Sequence, residues 1–146
     1  MDIESLWWEA FGDSYGIEFE KACFAGDYDL LDKDTQIIGA LMKLQLDMYN
    51  GGFIQFFCNW GYPAYLFALE GLDKINAARE KDILLRAYAT IEKYSDDDRI
   101  QALWDIAAVL TDEESAILDR LDAEFCDEAT GVVEKMPAVY GNKPVA

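Results

Sequence analysis

Between residues 35 and 49 the chain is apolar almost all the way round a helix. Ile37, Ile38, Leu41, Met42, Leu44, Met48 and Tyr49 cover most of its circumference, and only Lys43 and Asp47 are charged inside it. Such a helix cannot lie on a surface and needs neighbours on every side. The segment therefore predicts a central helix wrapped by others. With 52% hydrophobic and 14% aromatic residues there is enough apolar material to wrap it. A chain of 146 residues is read as one domain, 1–146, able to bury a core without disulfides or metal.

Helical spacing recurs along the rest of the chain. Leu6, Trp7, Ala10 and Phe11 predict a short helix closed by Gly12, and Tyr15, Phe19, Ala22 and Cys23 a second one up to Gly26. Asp27 to Thr35 reads as a loop. Asn50-Gly51-Gly52 ends the central helix, with a glycine expected in the left-handed conformation. Phe53 to Trp60 is then a short aromatic helix. Gly61 breaks it, and Pro63 suits the first turn of another helix to about Ile75. Asn76 is the expected N-cap of a helix over about 77–94. Ser95 before Asp96, Asp97 and Asp98 predicts a helix over about 96–110 that buries Ile100, Leu103, Trp104, Ala107 and Leu110. Thr111 to Glu114 is a capping-box pattern opening a helix with Ile117, Leu118, Leu121 and Phe125 inward. A last helix over 132–140 should be distorted at Pro137. No stretch alternates like a strand, so the predicted fold is an all-α bundle of about seven or eight helices, some short.

Composition removes whole classes of function. Histidine is absent, which excludes Ser-His and Cys-His nucleophiles and His-ligated zinc. There is no nucleophile elbow, phosphate-binding loop or dinucleotide fingerprint. Asp27, Asp29, Asp32 and Asp34 resemble a calcium loop only superficially: its glycine position is Asp32 and its final glutamate position is Ile38. Cys23, Cys58 and Cys126 are three cysteines with no C-x-x-C pair, read as reduced packing residues. No cofactor, metal or enzymatic activity is expected. No run of about 18 uncharged apolar residues suits a membrane span, and the acidic start Met1-Asp2-Ile3-Glu4 is unlike a signal peptide, so a cytoplasmic location is expected.

The charge points to a partner. Twelve basic residues face 29 acidic ones, for a net charge of −17. Residues 1–36 hold ten acids and two bases, residues 37–94 six of each, and residues 95–134 thirteen acids and two bases. Direct binding of nucleic acid or an anionic membrane needs the opposite sign. A basic protein surface fits. In the 95–134 block, Asp96, Asp97, Asp98, Asp112, Glu113, Asp119 and Asp122 are the candidate partner-binding acids, with Glu124, Asp127 and Glu128 as further acids of the same helix. Asp112 precedes Asp119 by two helical turns, about 10 Å, a spacing able to imitate a run of phosphates.

The stretch Asn50-Gly51-Gly52-Phe53-Ile54-Gln55-Phe56-Phe57-Cys58-Asn59 resembles the N-G-G-F-x-Q-F-F-x-N hallmark of a bacterial DNA-mimic protein family, whose best-known member binds a transcription factor in place of DNA. The likeness runs over 31–140 and leaves 1–30 outside. It implies a protein-binding module that engages the basic surface of a DNA-binding protein such as a transcription regulator. The motif itself reads as architectural: Gly51 and Gly52 for the turn, Phe53, Phe56 and Phe57 for the core, Gln55 and Asn59 to bond freed backbone groups. Two other readings stay open. One is an immunity-type module acting by shape complementarity. The other is a small-ligand binder or enzyme with a pocket around Gln55, Asn59 and Trp60.

Overall fold

The computed structural model describes residues 2–127 and 131–141. Its helices are α1 (Ile3–Phe11), α2 (Ser14–Ala25), α3 (Lys33–Met48), α4 (Gly52–Lys74), α5 (Ala78–Ile91), α6 (Asp105–Val109), α7 (Asp112–Cys126), α8 (Gly131–Lys135) and α9 (Pro137–Tyr140), with short 3-10 turns at Tyr28–Leu30 and Glu92–Asp96. Among the described residues there is no strand, and the fold is an all-α bundle.

As its periodicity demands, α3 is the centre. Ile37, Ile38, Ala40, Leu41 and Leu44 are completely buried. Its most extensive contacts are with α4 and α2, and it also touches α1, α7 and α8. The helix starts earlier than the hydrophobic pattern, because Asp32 accepts a hydrogen bond from the Thr35 N–H at 2.8 Å and caps it. Trp7 of α1 buries its ring against this core and donates its indole N–H to Gln45 at 2.8 Å. No described helix is long and apolar enough to cross a membrane.

The aromatic helix and its successor run as one element, α4, broken at Gly61 (φ 83°, ψ −174°) two residues before Pro63. Only glycine reaches that conformation without cost, so the break falls where the sequence places it. The C-terminal helix divides at Met136, just before Pro137.

Two expectations about helix boundaries fail. Asn76 is not the N-cap of α5. It adopts the left-handed conformation (φ 58°) and terminates α4, where Ala77 N–H donates to Leu72 O (2.9 Å) and Asn76 N–H to Asp73 O (3.1 Å). This is the paired capping of a helix C-terminus, and asparagine substitutes for glycine there. The second failure is the helix over 96–110. Only Asp105–Val109 is helical in that stretch. Asp97 accepts the Arg99 N–H at 2.9 Å, and Asp105 accepts the N–H groups of Gln101 (2.8 Å) and Ala102 (3.0 Å). These aspartates supply backbone donors with side-chain acceptors and so compete with helix formation. Ile106 is buried, whereas Leu103, Trp104 and Ala107 are exposed and Ile100 and Leu110 only partly covered.

Candidate partner-binding surface

The motif forms the junction between α3 and α4. Gly52 has φ 78°, and a side chain there would collide with the Asp122 carboxylate. Gly51 (φ −163°) lies outside the left-handed region. Phe53 and Phe56 are fully buried and Phe57 nearly so; Phe53 meets Phe125 of α7 edge-on at 5.5 Å.

Among the described residues, the Gln55 and Asn59 amides bond side chains rather than the backbone groups expected of them. They sit one turn apart on α4 and turn towards buried Asp47 of α3. Gln55 Nε2 donates to its carboxylate at 2.9 Å, Asn59 Nδ2 at 3.4 Å, and the neighbouring Trp60 Nε1 at 2.9 Å. A buried carboxylate needs such donors, because leaving one unpaired costs several kcal/mol. Asp47 was legible only as one of two charges in an apolar helix. An acid in that setting followed by an amide pair four residues apart was the signal for it. The other face of Asn59 reaches outward: its Oδ1 accepts the Trp104 indole N–H at 3.1 Å. The motif therefore ties the central helix to the acid-bearing 97–104 loop.

The candidate acids divide. Asp122 is half-buried on the inner side of α7. Its Oδ1 accepts the Phe53 N–H at 2.9 Å and so caps α4 from another helix. Burial pushes its carboxyl up to about 6, against the Phe53 hydrogen bond, and the nearby Asp119 charge adds to the rise. Asp97 is committed to the Arg99 guanidinium at 2.7 Å, and hydrogen bonds from Arg99 hold its carboxyl down at about 2. Asp122 and Asp97 are thus spent inside the molecule. Asp96, Asp98, Asp112, Glu113 and Asp119 are exposed, and among the described residues none forms a salt bridge. Glu128 lies outside the described residues.

The two acidic stretches meet at Glu114. It completes the Thr111 capping box, and it binds Lys93 and the Tyr94 hydroxyl next to the Asp96–Asp98 run. Hydrogen bonds from Lys93, the Thr111 N–H and Tyr94 hold its carboxyl at about 2. The N-terminus of α7, with Asp112 and Glu113, therefore stands beside the 92–98 segment. Glu124, further along α7, pairs with Arg86 at 2.9 Å.

The family described as DMP19-like protein matches residues 29–139. The chain belongs to this family. The match spans the motif, α3 to α8 and most of α9, and it covers the bacterial DNA-mimic likeness carried by Asn50 to Asn59. Residues 1–28, with α1 and α2, precede it. No curated protein and no solved structure matches the chain.

Proposed function

We propose that the protein is an acidic decoy that engages the DNA-binding face of a basic protein, such as a transcription regulator, in place of DNA. The observation that carries this reading is a set of exposed acids that have no ion-pair partner among the described residues: Asp96 and Asp98 on one segment, Asp112, Glu113 and Asp119 on the helix docked beside it. Two of the nearby cations are already used, Lys93 by Glu114 and Arg99 by Asp97, and Arg120 beside Asp119 offsets only one of the five charges. The field of these acids is therefore directed outward, where it steers a basic surface and weakens with salt. Asp112 and Asp119 are separated by about 10 Å along the helix axis, equivalent to about three phosphate steps of one DNA strand. Family membership supports the same reading.

Basic proteins retained from the source lysate at low salt supply the partner. Its affinity is then titrated against salt and against duplex DNA, with wild type and with Asp96→Asn, Asp98→Asn, Asp112→Asn, Glu113→Gln, Asp119→Asn combined. These neutral replacements leave buried Asp47 and Glu114 and half-buried Asp122 untouched. The expected result is a steep loss of affinity with salt, competition by DNA, and loss of binding in the neutralised variant with an unchanged helical signal. Affinity indifferent to both salt and DNA contradicts the proposal and favours a shape-driven binder.

A further inference from the structure

A cavity of about 200 Å³ opens where α4, α5 and the 95–106 segment meet. Its walls include Phe57, Tyr62, Tyr88, Tyr94, Ser95 and Leu103. The tyrosines form one aromatic array: Tyr88 stacks on Tyr65 at 4.2 Å between ring centroids, Tyr62 leans on Tyr88 at 5.6 Å, and Phe57 meets Tyr88 edge-on at 5.5 Å. The mouth reaches solvent, since Tyr62 is 53% and Leu103 43% exposed. The cavity lies below the roughly 300–1,000 Å³ of small-molecule pockets and suits a single long side chain.

Its rim is acidic. Ser95 is both a wall of the cavity and the residue before Asp96, and Ile100, two residues beyond Asp98, is another wall residue. Glu92 stands on the other flank, exposed, and its charge adds to the burial that pushes the Tyr88 phenol up and the Tyr65 phenol to about 12. Two cations adjoin the rim, and both are committed. Lys93 binds Glu114 and Arg99 binds Asp97, each also lying over the Tyr94 ring, at 5.3 and 6.0 Å. Among the described residues, Glu92, Asp96 and Asp98 therefore form no ion pair beside an aromatic cavity.

We propose that this cavity seats an arginine side chain of the basic partner, with its guanidinium against the Tyr62 and Tyr88 rings and within the field of Glu92, Asp96 and Asp98. This deepens the decoy reading and rests on it. Arginine fits better than lysine: its guanidinium is flat, weakly hydrated and stacks on aromatic faces, whereas an ammonium is compact and holds its water. A purely apolar side chain would fill the walls but gain nothing from the acidic rim. An arginine seated among tyrosines is the kind of desolvated anchor that dominates interface energetics. The decoy surface would then combine a salt-sensitive field with one fixed point of registration.

The test uses the full chain, 15N-labelled, titrated with N-acetyl-arginine amide, N-acetyl-lysine amide and the uncharged N-acetyl-citrulline amide. The expected shifts concentrate at Tyr62, Tyr88, Ser95, Ile100 and Leu103, with citrulline weaker by about tenfold and lysine intermediate. Tyr62→Ala should weaken arginine binding about fivefold, and Ser95→Trp, which blocks the mouth, should abolish it. Both positions are exposed, and an unchanged thermal midpoint verifies that each variant folds. Shifts spread evenly over the acidic surface, or citrulline equal to arginine, overturn the proposal. The same two variants are carried through the salt and DNA competition assay. Weakened partner binding supports the anchor. Unchanged partner binding overturns it while the acidic-decoy reading stands. Partner binding insensitive to salt and DNA overturns the decoy reading, and the amino-acid titration still decides the pocket's preference.

Discussion

Asp122→Asn removes an ionisable group from the α4–α7 junction while keeping an oxygen able to accept the Phe53 N–H. The carboxyl sits at about 6 in the folded protein against an ordinary value of 3.8, chiefly because burial disfavours its charge. The folded state thus holds more protons than the unfolded state between about pH 4 and 6, and stability falls as pH rises through that window. The protonated form contributes stability below the unfolded value, and that contribution is lost once pH passes the folded one. A rise of this size corresponds to about 3 kcal/mol for a group wholly out of water, and solvent screening at a half-buried site reduces it to about 1 kcal/mol. Asp122→Asn should therefore be more stable than the parent by about 1 kcal/mol at pH 7–8, with the difference vanishing near pH 4. Denaturant unfolding of both proteins across pH 4–8 measures this, and the difference between them isolates Asp122 from the other acids. Those others act in the opposite sense: Glu114 and Asp97, held low by their partners, lose stability only as pH falls below their ordinary range. A variant less stable than the parent at pH 8 refutes the reasoning. It would mean that the carboxylate's hydrogen bond to Phe53 outweighs the burial of its charge.

Leu41→Ala at the centre of α3 should cost about 2–5 kcal/mol in denaturant unfolding, and a cost below about 0.5 kcal/mol would remove α3 from the core. Gly52→Ala should cost at least about 1–2 kcal/mol from the left-handed backbone alone, with more from the collision with Asp122; a neutral effect contradicts the junction geometry. Asn59→Ala leaves the Trp104 indole N–H without its acceptor and should loosen the acid-bearing loop. Faster hydrogen exchange at 97–104, with α3 protection retained, is the expected readout, and unchanged exchange there contradicts the link.

Much of the bundle was legible because each local signal has one physical meaning. An all-round apolar helix must be central, Gly12, Gly26 and Gly61 stop helices, and Thr111 with Glu114 opens one. The 95–104 stretch was not legible, because aspartate after serine serves equally as a first-turn acid or as an acceptor for nearby backbone N–H groups. Asp97 and Asp105 take the second role. Asn76 is ambiguous in the same way, since asparagine suits both the start and the left-handed end of a helix. For the site, the exposed acids could be counted from the sequence, but their commitments depend on distant partners. Asp122 reaches Phe53 across 69 positions of chain, and the Asn59–Trp104 bond spans 45. The aromatic cavity had no linear trace either, because its walls come from two helices and an irregular segment.

The most direct test of the central claim is the affinity of the isolated basic partner measured from low to high salt, with and without duplex DNA. The account predicts a steep fall with salt, competition by DNA, and no measurable binding once Asp96, Asp98, Asp112, Glu113 and Asp119 are neutralised. Affinity that is flat across salt, unaffected by DNA and retained in the neutralised variant would contradict it.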